Sequence, residues 1–340
     1  MIMRNFLTLL VVLFASAHLS AQDTFSIVAI DSLTGEAGSA GASCVGSSTT
    51  YPHGAAILSD VIPGVGVIHT QAAWNPYNQQ YAHDLMMTGL PPQQIIDSLV
   101  ANDYTNNPLT RQYGIADLNG GHPRSAAYTG SNCLNYKNHI TGPGYSIQGN
   151  ILLGQEILDS MEARYLNTSG SLSDRLMAAL QGAKVLGADT RCAPKGTSSQ
   201  SAFLRVGRSA DPYDSLYCDL WMAYPQNYPG MYPVDPIDSL QTLYDIWKTT
   251  VGSGDGTGSP SPGIRVYTDA SGMLVISFRS LPPKGTYIRL MDLSGRIIST
   301  ASLASENTRI ALPGRLSRGA YIYQVSGPGN NLLVSGKLIF

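Results

Sequence analysis

Thr24-Phe25-Ser26-Ile27-Val28-Ala29-Ile30-Asp31 is the stretch on which the fold turns. Phe25, Ile27 and Ala29 alternate with Ser26, Val28 and Ile30, so an extended backbone here carries apolar groups on both faces, interrupted only by Ser26. That pattern predicts the first buried strand of the main domain, covered on two sides. Thr24 opens the strand and has two readings. Threonine is common in strands and needs no catalytic reason to begin one. At a mature amino terminus, however, its hydroxyl can act as a nucleophile with its own amine as the base.

What precedes the strand bears on that choice. Residues 1–5 include Arg4, residues 6–17 form an apolar run, and Ser20 and Ala21 offer a cleavage point, so residues 1–21 read as a secretory signal peptide. Cleavage there leaves Gln22 and Asp23 ahead of Thr24, and trimming is needed to expose its amine. No later apolar run is long enough to cross a bilayer. A net charge of -2, with 13% charged residues and 35 glycines, suits a turn-rich exported protein and argues against nucleic acid as a partner. Export permits Cys44, Cys133, Cys192 and Cys218 to form two disulfides in three possible connectivities; buried thiols or a ligand cysteine are the alternatives. The spacing of Asp211, Asp214 and Asp219 fits no calcium loop and no histidine cluster joins them, so neither metal nor cofactor is expected.

Along the chain, residues 37–45, 64–70, 110–116 and 125–129 read as strands. Residues 81–88, 92–102, 154–165, 171–184 and 236–249 read as helices, and 201–206 and 217–222 as late strands. Two early hairpins followed by helix pairs predict an α+β fold in which helices are layered over antiparallel sheets. Residues 251–263 are a linker by composition, and residues 264–340 carry seven short strand candidates of a small β sandwich. The expected domains are therefore the signal peptide 1–21, a main domain 22–250, the linker and the sandwich.

Polar residues gather at two places. Thr70, Gln71 and Asn75 stand at the end of an extended segment beside Trp74, with His69 just before them. The run 133–150 concentrates Tyr136, His139, Gln148 and Asn150 between a sheet and a helix entrance, which predicts a small-molecule pocket. In a third segment Asp189 and Arg191 orient a polar substrate or each other.

Several ordered pieces resemble the domain of unknown function 1028 family, which is grouped by fold with N-terminal-nucleophile hydrolases. They are Thr24-Phe25-Ser26-Ile27-Val28-Ala29, Thr70-Gln71-Ala72 with Asn75-Pro76, Gln112-Tyr113-Gly114-Ile115, the run 141–150, Gly187-Ala188-Asp189-Thr190-Arg191 and Gln200-Ser201-Ala202. The resemblance implies a four-layer alpha-beta-beta-alpha sandwich, with Thr24 at the position family members place just after their initiator methionine. The chain departs from the threonine hydrolases of this fold in having no lysine between Thr24 and Lys137. A second resemblance covers residues 263–340. Arg289-Leu290-Met291-Asp292-Leu293-Ser294-Gly295-Arg296, Leu316-Ser317-Arg318-Gly319-Ala320-Tyr321 and the terminal Lys337-Leu338-Ile339-Phe340 are similar to the C-terminal sorting domain of type IX secretion. It implies the outer-membrane secretion machinery as a partner, and a product that is secreted or attached to the outer cell surface.

Together these readings predict an exported hydrolase of an amide or related C–N bond in a small molecule or short peptide. Thr24 is the nucleophile if processing frees its amine, Asn150 and His139 are catalytic candidates, and Thr70, Gln71, Asn75, Tyr136, Gln148, Asp189 and Arg191 are substrate contacts. The alternative is a non-catalytic small-molecule or surface-glycan binding protein on the same scaffold.

Overall fold

The computed structural model describes residues 24–251, 264–268, 273–292, 297–312, 320–328 and 332–339. The expected signal peptide, Gln22-Asp23, the linker from residue 252 onward, Arg296 and residues 313–319 lie outside them.

In chain order the first part comprises β1 (Thr24–Ile30), β2 (Ala37–Ser43), β3 (Ser59–Ile62), β4 (Gly66–Ala72), α1 (Pro76–Met87), α2 (Pro92–Ala101), β5 (Arg111–Asn119) and β6 (His122–Thr129). There follow β7 (Asn138–Gly142), β8 (Tyr145–Gly149), α3 (Gln155–Asn167), α4 (Leu172–Gly182), β9 (Ser201–Gly207), β10 (Cys218–Ala223) and α5 (Pro236–Val251). Six strands form one sheet in the order β10-β9-β2-β1-β8-β7, and four form a second in the order β3-β4-β5-β6. Every pairing within the two is antiparallel.

The alternation in β1 sets the layers. Phe25, Ile27 and Ala29 enter a core shared with Leu158, Met161, Leu176, Leu180 and Leu240, so α3, α4 and α5 cover the outer face of the large sheet. Val28 and Ile30 turn the other way onto Val61, Val67 and Ala116 of the second sheet. The outer face of that sheet is covered in turn by α1 and α2, where Ala82, Met86, Ile95, Ile96 and Leu99 meet Ile68 and Ile115. The result is the predicted helix-sheet-sheet-helix stacking.

Local signals explain the helix ends. Asn75 accepts hydrogen bonds from the N–H groups of Tyr77 and Asn78 and Pro76 takes the first helical position, so α1 starts five residues before the expected 81. Ser171 and Asp174 form a reciprocal capping box at the start of α4. The run 133–150, expected to form a small-molecule pocket, contains the β7–β8 hairpin, with Gly144 at φ 73° in its turn.

Beyond the main domain, β11 (Ile264–Thr268), β12 (Leu274–Phe278), β13 (Tyr287–Asp292), β14 (Ile297–Ser302), β15 (Asn307–Ile310), β16 (Ala320–Ser326) and β17 (Leu332–Ile339) make a three-stranded and a four-stranded sheet. They share one apolar core that includes Ile276, Leu290 and Val325. Met291 and Ile322 also pack on Leu243 of α5, joining this all-β region to the helical layer.

The expectation of two disulfides is corrected to one. Cys44 bonds Cys192, while Cys133 and Cys218 are buried in separate places, the first with its thiol on the carbonyl of Arg111 and the second in the helix-side core. Their positions on different elements of the layered fold keep them apart.

Candidate functional site

Between the two sheets, at the end where β1 begins, the apolar packing gives way to amides and hydroxyls. Ser26 faces sheet two by the same alternation that points Phe25 at the helices, and Thr24 shares its side of the strand. Thr24, Ser26, His69, Gln112, Gln148 and Asn150 are completely buried and Gln71 nearly so. A polar layer of this kind survives only if its members satisfy one another.

They do so around two glutamines. Ser26 Oγ donates to Gln71 Oε1 at 2.6 Å, and Gln71 Nε2 donates to Gln112 Oε1 at 2.7 Å. Gln112 Oε1 also accepts from Asn150 Nδ2 at 3.0 Å, while Gln112 Nε2 donates to Thr129 Oγ1 at 2.9 Å and to the carbonyl of Gly149 at 2.9 Å. Asn150 is tied to the strand head through its N–H on the Thr24 carbonyl, 3.1 Å. One turn deeper, Gln148 Nε2 donates to Ser26 Oγ at 2.7 Å and lies 3.4 Å from His69 Nδ1, while Ser146 Oγ holds Gln148 Oε1 at 2.7 Å. Gly114 is required opposite Gln148, because a Cβ there would lie 2.0 Å from Oε1.

Two atoms of this layer have no hydrogen-bond partner among the described residues, Asn150 Oδ1 and His69 Nε2. Burial, assisted by the charge of Arg205, holds the His69 imidazole down to about 3 from its ordinary 6.5. His69 is therefore neutral in the folded protein at neutral pH. The unfolded chain takes up a proton near pH 6.5 that the folded chain refuses until about 3, so stability falls as pH falls through that window. The expected slope approaches about 1.4 kcal/mol per pH unit. Urea unfolding of wild type and His69→Gln at several pH values checks this; equal slopes in the two proteins would refute it.

The remaining residues named from sequence fall at different places. His139 on β7 joins the layer indirectly, its Nδ1 2.8 Å from Thr129 Oγ1, and burial lowers its pKa. Thr70 lies on the opposite face of β4 from His69 and Gln71, paired with Tyr113 on the side of α1 and α2, and its buried hydroxyl has no partner among the described residues. The Asn75 side chain is taken up by the α1 cap. Tyr136 packs against the helix-side core and donates to Gln155 Oε1 at 2.7 Å. Asp189 and Arg191 pair with each other at 2.7 Å, and Asp189 also accepts from the Cys44 N–H at 2.8 Å, just beyond the residue that pairs with Thr24. Thr24, Gln71, Gln148 and Asn150 thus come together directly. The hub that joins them, Gln112, stands outside the site residues expected from sequence; its signal is a glutamine at the second position of β5, between Arg111 and Tyr113.

Among the described residues, no group of three or more histidine, cysteine, aspartate and glutamate side chains is placed to hold a metal ion. Nor is any described helix long and apolar enough to cross a membrane.

A family model described as a family of unknown function, DUF1028, matches residues 24–227. Among solved structures, the crystal structure of protein SPO2555 from Silicibacter pomeroyi, of the same family model, aligns at 22% identity with a TM-score of 0.52, over 74% of this chain and 97% of that one. At that identity the likeness concerns the fold alone. Domains 3 and 4 of rat CD4 align at 9% identity over 68% of this chain and 79% of that one, with a TM-score of 0.19 that carries no argument. No curated protein matches the chain.

Proposed function

Because the chain belongs to the DUF1028 family, a family of unknown function, its reaction has to be argued from the site, and we propose an exported hydrolase of an amide or related C–N bond with Thr24 as nucleophile. The observation that carries this reading is the place of Thr24. It heads a central strand, faces the layer between two sheets, and adjoins Asn150, whose buried Oδ1 has no partner among the described residues. A buried acceptor left unpaired costs roughly 1–3 kcal/mol, and a primary amine released at Thr24 is the donor that would relieve it.

In this mechanism proteolysis removes the residues ahead of Thr24. Its Oγ attacks the substrate carbonyl carbon while the α-amine takes the hydroxyl proton. The amine then delivers that proton to the leaving nitrogen as the C–N bond breaks, and water hydrolyses the resulting ester. Asn150 Oδ1 orients the amine, Gln71 and Gln112 hold Asn150 and the strand head, and His139 reaches the same hub through Thr129. With no early lysine, the α-amine is the base. Residues 1–21 serve as the export leader and residues 264–340 as the sorting signal read at the outer membrane.

Sequencing the amino terminus of the secreted protein and measuring its intact mass come first, followed by amine release from a panel of small amides. A start at Thr24, with activity lowered at least about a thousandfold in Thr24→Ala, is the expected result. If active molecules all begin at Gln22, the mechanism fails. The second reading, a non-catalytic binding protein, is favoured by the complete burial of Thr24 and by the density of internal hydrogen bonds around it.

A further inference from the structure

The two sheets differ in width, six strands against four, so β10 and part of β9 extend beyond the edge strand β3. The turn Gly54–Leu58 roofs part of this overhang, with Ala55 N–H on Ser201 Oγ at 2.9 Å and Phe203 packed beneath Ala56 and Leu58. What remains is a cavity of about 450 Å³ with Tyr51, His53, Asp60, Trp74, His83 and Arg205 in its lining. That volume is within the range of small-molecule sites. None of the residues assigned to the Thr24 site contributes to it.

We propose that this cavity is a second binding site, and that it takes a single uncharged saccharide ring. The first reason is charge. Asp60 has both oxygens engaged, one by Tyr213 Oη at 2.8 Å and the other by His83 Nδ1 at 2.8 Å. Arg205 is offset by Asp219 at 3.1 Å and donates to the carbonyls of Ala56 and Ser59. Burial first, then the same guanidinium, keeps His53 below its ordinary pKa, so it adds no positive charge at neutral pH. The lining itself holds one carboxylate, Asp60, and one guanidinium, Arg205, whose formal charges cancel.

The second reason is the kind of polar atom left over. A carboxylate only accepts, so His83 Nδ1 donates to Asp60, and in the neutral tautomer that this bond fixes Nε2 is an acceptor. Arg205 Nη2 is left as a donor, with no acceptor among the described residues. An acceptor and a donor fixed by their own partners are what vicinal hydroxyls need, since each hydroxyl both donates and accepts.

The third reason is the shape of the aromatic walls. Tyr51 meets Trp74 at 85° and His83 meets Tyr213 at 76°, so these lining pairs are edge-on. His53 is fixed by stacking on Trp221 at 4.1 Å. Such walls form a corner that offers an aromatic face to the C–H side of a puckered ring and polar groups to its hydroxyl rim.

The test is saturation-transfer NMR on the secreted protein with methyl glucoside, methyl galactoside and N-acetylglucosamine, each at millimolar concentration. At least one sugar is expected to give a signal that Trp74→Ala abolishes, that His83→Asn weakens about tenfold, and that Thr24→Ala leaves intact. Tyr51→Ala provides an independent wall variant should Trp74→Ala fail to fold. Silence from all three sugars, a signal that survives the wall variants, or displacement of sugar by inorganic phosphate or acetate would overturn the proposal. Because Thr24→Ala is in the set, loss of the hydrolase reading leaves this result standing, and the converse also holds.

Discussion

Cys44→Ala combined with Cys192→Ala is expected to lower the free energy of unfolding by about 5 kcal/mol, read as a fall in the urea midpoint. The bond joins residues 148 apart in sequence, and in the chain-entropy description a loop of that length removes much of the freedom of the unfolded chain. A local loss adds to the global one. Cys44 follows directly on the strand residue paired with Thr24, and its N–H is held by Asp189, so the bond also fastens the segment carrying Asp189 beside the strand head. A loss below about 1 kcal/mol would show that the unfolded chain gains little from the cut.

Asp103→Ala is expected to cost about 3–5 kcal/mol, because it strands a buried guanidinium. Asp103 Oδ2 accepts from Arg111 Nε at 2.7 Å and from Asn78 Nδ2 at 2.6 Å; Oδ1 accepts from the N–H groups of Thr105 and Asn107. The carboxylate is fully enclosed and the Arg111 side chain is 5% exposed. Burial alone would push the Asp103 pKa upward. The Arg111 guanidinium, with the Asn107 N–H, Asn78 and Thr105, outweighs burial and holds the carboxyl well below the usual range. A depressed carboxylate contributes stability that is present above the unfolded value of 3.8 and is lost as pH falls below it. Wild type is therefore expected to lose stability more steeply than Asp103→Asn below about pH 4. Parallel acid-unfolding curves for the two proteins would contradict this.

Both predictions concern groups that fasten the ends of strands, and such groups were only partly legible in the sequence. The alternation of β1 gave both layers, because a strand covered on two faces has no other way to satisfy Phe25 and Val28 together. The start of α1 is legible in Asn75-Pro76 but not in the apolar spacing, which begins only farther on. The β7–β8 hairpin was obscured by its polar composition, although Gly142-Pro143-Gly144 is turn chemistry; its residues are polar because they face Gln112 and Ser26. Gln148 and Asn150 were recoverable as a pair from their place in one run. The Asp60–His83–Tyr213 cluster was not, since it joins a four-residue strand, a helix and a loop with no shared period. Its existence depends on one sheet being wider than the other, which no local pattern records.

The central place of β1 in the large sheet also constrains when the molecule can fold. Its hydrogen bonds run to β2 on one side and to β8 on the other, and β2 in turn waits for β9. β1 is therefore complete only once β8, ending at Gly149, has been made, and β2 only once β9, ending at Gly207, has been made. Pairings this distant in sequence form slowly. The large sheet stays incomplete until Ala223, the end of β10, has been made, while the four strands of the second sheet are all in hand by Thr129.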